Sequence, residues 1–206
     1  MPEQYRSLVV VLLLASIVFL FARKYVASAG MSDADFVRRR NVWYGVTLLG
    51  FLSPSFWLFA AGTVLLLNRA AKREHNSVAL FFFLILAMPL VRVEVPGLFG
   101  ARFLFEITYL RILIIVVLLP YAIKLRALNR NSNVSYALPD AILVIYGFLT
   151  IILRMRYDEP TGIMRFALYW FIDVIIPYYT VSRALKNIVL IKELFTAFVI
   201  AALIVS

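Results

Sequence analysis

The sequence predicts an all-α protein, a polytopic transmembrane helical bundle of about seven helices forming one domain over residues 1–206. Three observations predict it. The chain is 64% hydrophobic with a mean hydropathy of +0.92, well above the roughly 45–50% apolar content of soluble domains. Its apolar runs are continuous rather than alternating; unpaired backbone groups are so costly in hydrocarbon that such runs span as helices rather than as a barrel. The connections are short, with no Gly/Ser linker, repeat or low-complexity tract to divide the chain.

Seven segments follow from charged boundaries, set against the about 20 apolar residues a helix needs to cross a bilayer core. The first, Ser7 to Ala22, is shaped like a signal peptide, but Arg23 and Lys24 stand where a small-residue cleavage site is needed, so it is a retained helix. The second, Val42 to Leu67, carries Ser53, Pro54 and Ser55 at its centre. Proline removes a backbone hydrogen bond there, and the serines can rescue freed carbonyls, so a kinked helix or a re-entrant pair is expected. The third is Ser77 to Val91, followed by an aromatic stretch with a Pro96-Gly97 turn that suits a packed re-entrant loop. The fourth to sixth are Phe103 to Ile123, Leu138 to Leu153 and Phe166 to Ser182. The seventh, Ile188 to Ser206, lacks the polar residues that close a membrane helix, which predicts an incomplete amino-terminal portion of a larger protein.

Several classes are excluded or discounted. There is no cysteine, and the single histidine, His75, lies in the charged run Lys72 to His75, so no disulfide, metal centre or other cofactor is expected. Membrane lipid is the expected partner; nucleic acid is not. Asn133, Val134 and Ser135 match a glycosylation sequon but fall in a basic loop. Orientation by basic residues is a tie: with the amino terminus inside, nine lie inside and ten outside, half of the latter in the first loop. The expected topology places the amino terminus, His75, Arg130 and Lys186 in the cytoplasm, with Arg38–Arg40 and Asp158 outside.

Candidate site residues are all charged. Ser32 reads as a helix cap with Asp33 and Asp35 in the first turn, leading into Arg38, Arg39 and Arg40. Three planar, permanently charged forks at a lipid boundary suit a pyrophosphate, although headgroup contact and topology control explain them too. Arg92 and Arg154, with Arg23, end short segments on one predicted side and are further candidates for an anionic headgroup; snorkelling explains each separately. Arg111 and Asp173 are comparably deep in their helices and are expected to pair, with Glu106 as a competing partner for Arg111. A functional and a structural role are equally open for that pair.

Four stretches taken in order resemble the amino-terminal half of bacterial O-antigen ligase and O-antigen polymerase-like proteins: Phe36 to Trp43 (FVRRRNVW), Phe51 to Trp57 (FLSPSFW), Glu94 to Gly97 (EVPG) and Asp173 to Arg183 (DVIIPYYTVSR). The resemblance implies a GT-C-type, metal-independent glycosyltransferase of the bacterial inner membrane, moving glycan from an undecaprenyl-diphosphate-linked donor onto a lipid or growing sugar acceptor. It also implies that arginine and histidine residues of a large external loop lie beyond Ser206, leaving the catalytic residues unassigned. A transporter or flippase fragment and a noncatalytic assembly subunit of an envelope glycan machine are the competing expectations.

Overall fold

The structure, a computed structural model, describes residues 3–26, 28, 30–87, 92–97, 103–128 and 137–205. Among them are eight helices and one two-stranded hairpin. The helices are α1 (Glu3–Val26), α2 (Asp33–Leu52), α3 (Phe56–Lys72), α4 (Ser77–Leu84), α5 (109–128), α6 (Ala137–Arg154), α7 (160–184) and α8 (Ile188–Val205); β1 (Arg92–Pro96) and β2 (Phe103–Thr108) lie between α4 and α5. The chain is mostly helical, as expected. By length and apolar composition, two helices rather than seven qualify as membrane spans: α1 over Tyr5–Val26, and α8.

The largest departure is at the second segment, which is two helices, not one kinked helix. Pro54 has no N–H to give and its ring blocks continuation of α2. The Ser53 N–H closes α2 on the Leu49 carbonyl, while the Ser55 hydroxyl accepts from the Leu58 N–H and starts α3. With both broken ends satisfied, the chain reverses. The two helices then run antiparallel, Gly45 against Leu66 and Gly62 against Leu49, so closely that a Cβ on Gly45 would lie 2.5 Å from Leu66 Cδ1.

That reversal sets the direction of everything after it. Arg38 at the start of α2 meets Glu74 just after α3, and Asn76 at the start of α4 meets Glu193 near the start of α8. Asp140 at the start of α6 meets Arg183 at the end of α7. These termini define a basal end. The Ser53–Ser55 turn and the α6–α7 connection define the distal end. The expected topology is therefore wrong in two respects: Arg38–Arg40 share one end with His75 and Lys186, and the start of α1 lies at the other end with Asp158. Arg130 and the sequon at Asn133 lie outside the described residues. Of the described basic residues, thirteen are basal (Arg23, Lys24, Arg38–Arg40, Arg69, Lys72, Arg73, Lys124, Arg126, Arg183, Lys186, Lys192) and five distal (Arg6, Arg92, Arg154, Arg156, Arg165), with Arg111 between.

Two further boundaries moved. Helix α4 ends at Leu84, and residues 88–91 lie outside the described part of the chain. The expected fourth helix begins six residues late, because Phe103–Thr108 is an antiparallel partner of Arg92–Pro96 (Arg92 opposite Thr108, Glu94 opposite Glu106) and the Thr108 hydroxyl caps α5 by accepting from the Arg111 N–H. The core centres on Phe19, which meets Phe36, Trp43 and Tyr44 edge-on and stacks on Phe83 at centroid distances of 5.4–6.1 Å. Helix α6, by contrast, exposes Ile142, Ile145, Phe148, Leu149 and Ile152, an apolar face out of keeping with a water-facing surface.

Candidate functional site

Helices α5 and α7 each contain a π turn, Ile114–Leu118 and Phe171–Ile175, and each turn is followed two residues later by proline, Pro120 and Pro177. A proline cannot bond the carbonyl four residues back, here Val116 and Asp173, and its ring crowds that carbonyl. Widening the preceding turn relieves the crowding, and π turns of this kind recur at functional sites. Asp173 thus sits inside one widened turn, and Arg111 lies three residues before the start of the other.

The structure brings Arg111 and Asp173 together. Arg111 Nε lies 3.2 Å from both carboxylate oxygens, and Nη2 donates to Oδ2 at 2.9 Å. The competing partner contributes as well: Nη1 donates to the Glu106 carbonyl at 2.6 Å, with the Glu106 carboxylate 3.9 Å away. Tyr169 lies over the guanidinium, 3.5 Å from centroid to carbon, and its hydroxyl accepts the Glu106 N–H at 2.7 Å. Arg92 approaches Glu106 at 3.6 Å, giving two positive and two negative groups in one chain of contacts. Beside them is a cavity of about 250 Å³ with apolar walls that include Val64, Ile112, Ile115 and Leu168.

Tyr169 also lines a second, more open space of about 560 Å³ at the distal end. There Arg154 lies over Phe166 at 4.1 Å and Arg165 over Phe103 at 4.0 Å, so both guanidiniums contact a ring, and Arg165 also donates to the Thr161 and Phe103 carbonyls. Arg154 pairs with Asp158 at 3.0 Å, and Tyr157 and Glu159 form part of the rim. Of the arginines expected on one side, Arg92 and Arg154 are distal. Arg23 is basal, paired with Asp33 at 3.1 Å. Sequence reasoning did not single out Arg165; its signal was its place after the Asp158-Glu159-Pro160 helix start, which turns α7 back beside α6.

The basal arginines all have partners within the protein, although Arg39 uses Nη2 alone and its buried Nε and Nη1 have no hydrogen-bond partner among the described residues. Arg38 pairs with Asp35 and with Glu74 at 2.9 Å; fully buried Arg39 bridges Glu74 at 2.6 Å and Glu193 at 2.5 Å; Arg40 bonds Asn41. Asp35 accepts from the Ser32 hydroxyl at 2.7 Å as well as from Arg38. The oxygens of Asp35, Glu74 and Glu193 lie within 4.8 Å of one another, a spacing suited to a cation, and the guanidiniums of Arg38 and Arg39 supply the positive charge. Two of the three forks expected to bind pyrophosphate are therefore engaged within the protein. Glu193 was legible by the rule that singled out Arg111, as an acid in a helix whose one other charged residue is the adjacent Lys192.

Comparison with protein-family models, curated proteins and solved structures gives no match.

Proposed function

We propose that the chain is the amino-terminal part of a multi-pass bacterial inner-membrane glycosyltransferase that transfers or polymerises glycan from an undecaprenyl-diphosphate-linked donor, with its donor headgroup site at the distal end. The observation that carries this reading is that the Arg154–Arg165 cleft and the apolar cavity beside Arg111 lie on either side of Tyr169, which lines both. A polyprenyl diphosphate needs an anion site at the membrane surface next to apolar space, and planar guanidiniums offer bidentate contacts to phosphate. The pyrophosphate site thereby moves from Arg38–Arg40 to Arg154 and Arg165, with Arg92 on the same end.

The same reading takes the seven helices of 17 residues or more as crossings, and α4 with its β hairpin as a further passage. A 17-residue helix is about 25 Å long, enough for a slightly thinned core. The excess of basic residues at the basal end puts that end in the cytoplasm and the amino terminus outside. In this cysteine-free chain, Arg40→Cys and His75→Cys are then labelled only after permeabilisation and Asp158→Cys without it. Labelling of Arg40→Cys in intact cells would overturn the orientation.

The functional test is donor binding by the full-length protein in nanodiscs. Arg154→Gln with Arg165→Gln should weaken binding of undecaprenyl diphosphate, while Arg40→Gln leaves it unchanged; the reverse result would return the site to the basal end. A second reading, a transporter or flippase, draws on the Arg111–Asp173 pair between two π turns, since intramembrane charges in broken helices mark transport pathways. Lipid translocation in proteoliposomes that Asp173→Asn abolishes, with no glycan transfer, would favour it.

A further inference from the structure

The outer face of the α2–α3 hairpin carries a groove of about 940 Å³, separate from the two cavities above and bordered at its basal end by Arg38 of the basal cluster. On α3 its walls are Gly62, Leu65, Leu66, Arg69, Lys72 and Arg73. These positions recur at helical spacing, so they form one stripe along the helix, apolar toward the distal end and basic toward the basal end. Leu49 of α2 closes the apolar part. Gly62 adds no side chain there, and a Cβ on it would meet Leu49 at 3.1 Å.

We propose that this groove binds an anionic phospholipid of the basal leaflet, with its phosphate on Arg69, Lys72 and Arg73 and an acyl chain along Leu65 and Leu66. Three observations support the assignment. Arg69, Lys72 and Arg73 are exposed, and their side chains make no ion pair with any described residue, unlike Arg38 beside them. From Gly62 to Arg73 the stripe is about 16 Å long at the helical rise, close to half of a roughly 30 Å hydrocarbon core, the depth of one leaflet. Basic end and apolar end follow one another in the order in which a lipid presents headgroup and tail. Cations in the last turn of a helix also complement its dipole, but that role needs no apolar trough leading to them. A free phosphate would use the cations and leave the trough empty.

The inference rests on placement in a membrane and not on the glycan chemistry, so loss of donor binding would leave it standing. Its test is native mass spectrometry of the full-length protein released from nanodiscs containing phosphatidylglycerol and phosphatidylcholine. The wild type should retain phosphatidylglycerol preferentially. Arg69→Gln with Arg73→Gln should reduce that preference by about tenfold or more, since each cation near the surface favours anionic lipid by about fivefold. The charge-matched control, Lys124→Gln with Arg126→Gln at the same end, should leave it unchanged. Leu65→Asn, which keeps every charge, should weaken lipid retention without altering binding of inorganic phosphate. An equal loss in the charge-matched control would reduce the effect to diffuse surface charge. Phosphate binding that competes with the lipid and is unaffected by Leu65→Asn, with lipid retention also unaffected, would make this a free-anion site.

Discussion

The basal and central charge clusters are built from the same residue types and do different things. At the base, Arg39 is fully buried and ties the start of α2 to the α3–α4 corner and to α8, across 35 and 154 residues of sequence. At the centre, Arg111 joins α5 to α7 while remaining partly accessible beside a cavity, between two helices already loosened by π turns. The first arrangement is enclosed by the protein. The second has both space and alternative acceptors, in Asp173 and Glu106. Charge inside an apolar bundle thus acts as a fastener where it is walled in, and is available for binding or movement where a cavity and an irregular helix adjoin it.

The contrast is broken most directly at Arg39. Arg39→Gln leaves Glu193 buried without its cation and Glu74 with Arg38 alone, and should destabilise the protein by on the order of 3–5 kcal/mol, measured by thermal unfolding in detergent. A loss no greater than that of Arg111→Gln would remove the distinction. At the centre, Arg111→Ala and Asp173→Ala should show a coupling of about 0.5–3 kcal/mol in a double-mutant cycle, and the exchange of the two residues should recover part of each single loss. Simple additivity would mean the pair is not coupled. Gly45→Ala lies between the two regions and should cost about 1–3 kcal/mol through overpacking against Leu66, less if the flexible Leu66 end swings aside. A neutral result would mean the hairpin tolerates a wider spacing.

Much of this molecule was legible residue by residue. The Ser32 cap, the helical runs and the matched depths of Arg111 and Asp173 all depend on spacing within one helix or on composition. The end at which Arg38–Arg40 lie was not legible, because charge counting assumes a number of crossings and Pro54 is compatible with either a kink or a reversal. Nor was the partner of Arg39, since Glu193 is 154 positions away.

By itself, then, the sequence determined an apolar, helical chain whose buried charges require partners, because desolvation acts on each residue wherever the chain runs. The tertiary structure alone decided which partners those are and which end each occupies. Close approach of α2 and α3 at Gly45 and Gly62 and the capping of both broken ends by Ser53 and Ser55 turn a proline kink into a reversal. Every later helix takes its direction from that one turn.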